Sequence, residues 1–248
     1  MLGNDLTVID GAEAGAWIEA GLGGEFGAVS LQVPKIFDAY ARVFHRATDG
    51  DGNHVTWGEV AKRLGRTAHR EMQWHQLVGS SDSDNFTGSK WSGGRPELGE
   101  MEVEELDRLC RVLAAHTADP ERCLFGLCTI QNWKLDALPA EAERYPQLGL
   151  PWGRDHVVLS GPLSAVDQIG YADQSNVIWG EVPNLIWPSD RSWLVVSEVD
   201  FDSTLVGGSS ELVEALIADS DLEVYAVEPD TSLAAFSDEI NWVPEPED

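Results

Sequence analysis

Three acidic side chains alternate along Glu198-Val199-Asp200-Phe201-Asp202, directly after the apolar run Trp193-Leu-Val-Val-Ser197. In an extended chain alternate residues share a face, so Leu194, Val196, Glu198, Asp200 and Asp202 line up, apolar first and triply acidic at the end. Carboxylates so spaced could hold a divalent cation by oxygen ligands, and a bound metal could activate water for hydrolysis. They also repel one another unless solvent or local backbone amides relieve them, as at edge strands and turns. The residue types favour that solvated or turn role and no cofactor. Metal ligation by Glu198, Asp200 and Asp202 around a divalent cation is the alternative.

Other motifs offer less. Asp49-Gly-Asp51-Gly-Asn53 opens like a calcium loop, but the sixth and twelfth positions hold His54 and Val60 where Gly and Glu are required. A tight turn between two helices is expected there. Glu71 and His75 stand one helical turn apart, yet no H-E-x-x-H, G-x-S-x-G, phosphate loop or dinucleotide fingerprint occurs. Gly207-Gly208-Ser209 could offer amides to an anion, although Glu211 and Glu214 already occupy that helix start. Cys110, Cys123 and Cys128 are odd in number and lack C-x-x-C spacing, which points to reduced thiols. Trp179, Trp187 and Trp193 cluster around Trp187-Pro-Ser-Asp190-Arg191. Exposed, they would suit a sugar platform or a protein hot spot; burial in the core is the favoured role. Arg191 is expected to pair with Asp190 or a nearby carboxylate. The binding candidates are therefore Trp187, Asp190, Arg191, Trp193 and Glu198.

Charge narrows the function classes. The 248 residues include 43 acids and 16 Lys or Arg, a formal charge of −27. All the bases lie between Lys35 and Arg191, so residues 192–248 carry 15 acids without one local cation. Gripping nucleic acid by its phosphates needs the opposite surface. No apolar run reaches the 18 residues of a membrane span, and no base precedes Lys35 to begin a secretory signal; a cytoplasmic protein is expected. The acidic back third suits either a solvated surface or a docking face for a basic protein. The first expectation is a non-enzymatic binding protein that docks a basic macromolecular partner, as immunity and antitoxin proteins do. The alternative is a metal-assisted hydrolase in which Asp200 and Asp202 are catalytic.

Apolar spacing then suggests the elements that position these groups. Ile36, Phe37, Tyr40, Ala41, Val43 and Phe44 repeat at three and four, which predicts a helix over 34–46. Thr56 caps a helix over 57–64 that Gly65 ends, and Thr67 opens another reaching Leu77. Ten of the 22 residues in 79–100 are Gly or Ser, a flexible loop. A helix follows over about 100–116. Runs at 124–130, 156–159, 177–179, 185–187, 193–199 and 222–227 read as strands, with a helix over 209–218. The expected fold is α+β, a helical N-terminal half packed with a mixed or antiparallel sheet in the C-terminal half. Its parts would be an N-terminal segment 1–33 joining the core, a mainly helical region 34–118 and an α+β region 119–248.

The string Val195-Val-Ser-Glu-Val-Asp200-Phe-Asp202-Ser-Thr204 resembles the first motif of haloacid-dehalogenase-type phosphatases. That resemblance implies Asp200 as nucleophile, Asp202 as acid/base and magnesium on the phosphate. The chain departs from it downstream: no base follows Arg191, and 44 residues after Thr204 are too few for the remaining units. A wider pattern is similar to a family of actinobacterial proteins and implies no activity. It comprises Trp187-Pro-Ser-Asp-Arg-Ser-Trp193 and Glu198 to Ser209, with Tyr40-Ala-Arg-Val-Phe-His45 and Met72-Gln-Trp-His75 upstream.

Overall fold

The computed structural model describes residues 5–130, 138, 142, 144–172, 178–180 and 182–244. Among the described residues thirteen strands run in chain order as β1 (Thr7–Ile9), β2 (Ala39–Phe44), β3 (Ala47–Thr48), β4 (His54–Val55), β5 (Cys123–Cys128), β6 (Leu148–Leu150), β7 (Arg154–Gly161), β8 (Gly170–Ala172), β9 (Ile178–Gly180), β10 (Leu185–Pro188), β11 (Leu194–Val196), β12 (Ser203–Gly208) and β13 (Val224–Val227). The α-helices among the described residues are α1 (Gly11–Gly21), α2 (Trp57–Leu64), α3 (Trp74–Leu77), α4 (Val103–Ala114) and α5 (Ser210–Ala218). Nine strands form one sheet, ordered β1-β7-β5-β10-β11-β12-β2-β13 with β6 also on β7. Each pairing is antiparallel. β3–β4 and β8–β9 are separate two-stranded ribbons.

This corrects the expected α+β arrangement with a helical N-terminal half. The architecture is a large antiparallel sheet with few helices, and the front of the chain supplies two of its strands, β1 and β2. Residues 34–46 show why spacing misled. β2 lies between β12 and β13 and is covered on both faces, so nearly every position is buried and period-2 alternation disappears. The same apolar residues satisfy a helical repeat by count alone. The helix expected from Thr67 shrinks to the four residues of α3, and the strand expected over 193–199 stops at Val196.

Local capping chemistry, in contrast, reads directly. Thr56 accepts the Glu59 N–H while the Glu59 side chain accepts the Thr56 N–H, and Gly65 ends α2 at φ 66°. Ser209 caps α5 through the Leu212 N–H. In the 49–53 turn Asp49 Oδ1 accepts the N–H groups of Asp51 and Asn53, and the turn joins two strands and not the two helices expected.

The sheet divides the apolar residues into layers. On one face Leu109 and Leu113 of α4 and Leu212 and Leu216 of α5 cover Val43, Phe125, Ile186, Val195 and Val206. On the other, Ile18 of α1, Val29 and Val33 cover Val158, Leu185, Trp187, Leu194 and Leu205. A third cluster stacks Phe44 on Trp57 (ring centroids 4.6 Å) and Trp57 on Trp74 (5.2 Å). Residues 79–100 form no helix or strand, but the Trp91 indole and the Lys90 N–H bond to the carbonyls of Thr48 and Val78. A Cβ on Gly93 would fall 1.9 Å from the Thr48 carbonyl oxygen, so only glycine allows this approach.

Among the described residues no helix is long and apolar enough to cross a membrane. All three cysteines are buried and none forms a disulfide, and burial pushes the Cys110 and Cys123 thiols up to about 12. Titration of the native protein with a thiol reagent at pH 8 is expected to find no reactive group, and three after unfolding in guanidinium.

Candidate functional site

The acidic triad sits in the turn that joins β11 to β12. The Phe201 N–H donates to the Glu198 carbonyl at 2.9 Å and reverses the chain, so the three carboxylates do not share a strand face. Each instead meets a guanidinium from a distant part of the sequence. Arg154, at the start of β7, bonds Glu198 at 3.0 Å and also reaches Asp200. Arg42, from the middle of β2, lies 3.4 Å from Asp202.

Arg42 is buried with its donors engaged. Nε donates to Ser203 Oγ at 2.8 Å, Nη1 donates to the carbonyls of Met72 and Arg70, and the guanidinium lies 4.3 Å from the Phe44 ring centroid. Burial lowers its pKa and raises that of Asp202, while the attraction between the two opposes both shifts. Burial likewise raises the Glu198 pKa, against the pull of Arg154. A charge pair so enclosed holds the turn against the sheet.

A cleft of about 600 Å³ opens beside this turn, with Leu31, Leu150, Leu185, Val196 and Leu233 among its apolar lining and Arg42, Arg154 and His156 among its polar lining. His156, on β7, is buried; desolvation takes its pKa down to about 4, although the nearby Arg154 and Leu148 carbonyls favour the protonated ring. It is therefore neutral at physiological pH. Behind the cleft runs a buried relay. His45 Nδ1 lies 2.9 Å from the Glu97 carbonyl, His45 Nε2 lies 2.9 Å from Thr204 Oγ1, and Thr204 Oγ1 lies 2.7 Å from Ser197 Oγ. The carbonyl only accepts, so Nδ1 carries the proton, Thr204 donates to Nε2, and Ser197 donates to Thr204. Ser197 is fully buried and its proton is committed, an arrangement that pins the turn. Among the described residues no three His, Cys, Asp or Glu side chains converge to hold a metal ion.

The other sequence candidates lie at the opposite end of β11. Trp187 and Trp193 are fully buried on opposite faces of the sheet, and the Trp179 side chain falls outside the described residues. Asp190 accepts from Thr117 Oγ1 and from the Ala118 and Ser192 N–H groups, clasping the loop after α4. Arg191 adopts φ 57° and places its guanidinium 5.5 Å from the Trp17 ring centroid. Of the five binding candidates only Glu198 borders the cleft.

The acidic back third also finds its missing cations in space. Arg108 pairs with Asp219 and Asp221 and Lys35 with Asp230, while Asp238 accepts a hydrogen bond from His69 Nε2 at 2.9 Å. Glu223 accepts the Trp57 and Gly58 N–H groups at the start of α2, where the helix dipole favours a negative charge. Sequence reasoning missed Arg42, Arg154 and His156. Arg42 leaves one signal, a lone charge inside the apolar run Tyr40-Ala-Arg-Val-Phe44; Arg154 lies 44 positions before Glu198 and leaves none.

Fold and cleft together describe an antiparallel-sheet protein with a charge-paired cavity at one end of its strands. No family model, curated protein or solved structure matches the chain. The two resemblances noted above accordingly rest on their short motifs alone.

Proposed function

We propose that this chain is a non-enzymatic binding protein that docks a basic macromolecular partner, in the manner of an immunity or antitoxin protein. One observation carries the reading: the carboxylates whose spacing suggests chemistry are engaged by Arg154 and Arg42, while the chain as a whole remains at −27. Groups locked in ion pairs position a turn. The surplus negative charge creates a field that attracts cationic surfaces and speeds their encounter.

Calorimetric titration with an arginine-rich peptide, and with a glutamate-rich peptide of equal length, tests this. The cationic peptide is expected to bind with an affinity that falls steeply between 50 and 300 mM salt, and the anionic one not at all. Equal binding of both, or no binding of either, would overturn the reading. So would a heat of magnesium, manganese or calcium binding that Asp200→Asn abolishes, because that outcome favours the metal-assisted hydrolase.

A further inference from the structure

We infer that the C-terminal strap, residues 228–243, presents an aromatic docking face for a short arginine-rich segment of the partner; this inference rests on the basic-partner reading above. The strap has inverted polarity. Its Asp238 and Asn241 are 0% and 1% exposed, whereas Phe236, Ile240 and Trp242 are 55%, 61% and 49% exposed.

The inward polar groups form a clasp. Asp238 accepts from His69 Nε2 and from the N–H groups of Gln73, Ile240 and Asn241, and the Asn241 amide bonds both the N–H and the carbonyl of Thr67. Further back, Ser30 and Val29 donate to the carbonyls of Pro229 and Thr231, and Leu233 donates to Gly27. An irregular segment fastened this firmly holds its outer side chains in fixed positions. Phe236 packs edge-on between Trp242 (ring centroids 6.5 Å) and His75 (6.0 Å). A buried carboxylate beneath and large apolar groups outside reverse the usual arrangement, and exposed apolar clusters of this kind mark interaction sites.

Charge selects the occupant. Beside the rings, Asp82 and Asp84 act on His75, against which Phe236 packs, and Glu239 lies on the strap itself; Arg66, which reaches this end of the strap, is engaged by the Asn241 carbonyl, so the surroundings favour a cation. Aromatic faces with carboxylates nearby suit guanidinium best, because it is planar, weakly hydrated and stacks on indole and phenyl rings where an ammonium stays solvated. Trp and Arg are also the side chains that dominate binding energy at interfaces.

Fluorescence anisotropy with labelled nona-arginine and nona-lysine provides the test on the full chain. The Phe236→Ser/Trp242→Ser protein is compared with a control, Val103→Ser/Ile217→Ser, which removes exposed apolar groups from α4 and α5. The strap variant is expected to weaken nona-arginine binding about tenfold and the control to leave it unchanged. Nona-lysine is expected to bind the unaltered protein more weakly than nona-arginine, an advantage that the strap variant erases. Trp242→Phe, which keeps an aromatic face, should retain most of the affinity and guards against misfolding as the cause. If the strap and control variants bind nona-arginine equally well, the docking face is wrong while the basic-partner reading stands. If the unaltered protein binds neither peptide, both fail.

Discussion

Arg42→Met is expected to destabilise the protein by about 3–5 kcal/mol, the usual cost of breaking a buried ion pair from one side. The methionine fills much of the same volume above Phe44, so the loss is electrostatic and not a cavity effect. It strands the Asp202 carboxylate, the Ser203 hydroxyl and the carbonyls of Met72 and Arg70, all of which Arg42 now satisfies. Arg42→Lys is expected to rescue little, since one ammonium cannot reach the several acceptors that the guanidinium fork spans. Adding Asp202→Asn to Arg42→Met should recover part of the loss, because the stranded charge is then gone. Urea denaturation of the two single variants and the double variant closes the cycle. An Arg42→Met protein within about 1 kcal/mol of the unaltered one would show that the pair is solvated and contributes little.

Acidification from pH 6.5 to 4 should cost stability through two histidines, by up to about 3 kcal/mol each if the shift is fully expressed. Burial takes the folded-state pKa of both His45 and His156 down to about 4, against 6.5 for an ordinary imidazole. Above pH 6.5 neither state binds the proton and the groups have no effect. Below it the unfolded chain protonates first, and the folded state loses ground until pH falls through the folded value. Glu105, Glu198, Glu223 and Asp202 act in the opposite direction. Burial raises their pKa values, so as pH falls the folded state takes up their protons first and regains some stability just above the ordinary carboxylate range. Unfolding free energy measured in urea at pH 7, 6, 5 and 4.5 should therefore fall and then flatten. In His156→Leu the slope between pH 6 and 5 should drop by about one proton. A level profile from pH 7 to 5 would contradict the buried, neutral state of both rings.

Some of this was readable from residues in a row. The Thr56-x-x-Glu59 box and Gly65 bracket α2 because capping is a contract between neighbours, and Asp49 shapes its turn for the same reason. The apolar runs that became β5, β7, β10 and β13 were also legible. β2 was not. Its period was masked by burial on both faces, and the error carried the fold class with it, turning a strand paired on both sides into a supposed helix. The 193–199 strand failed for a related reason: nothing local shows where pairing ends, and Glu198 to Phe201 turn the chain back.

Composition by itself established an excess of carboxylates, thiols too few for a disulfide framework, and enough apolar surface to build a core. Tertiary structure alone settled which carboxylates are balanced, because Arg42, Lys35, Arg108 and Arg154 reach theirs across 111 to 195 positions of chain or 44 to 46. Coulomb attraction depends on separation in space, and a linear sequence records only separation along the backbone.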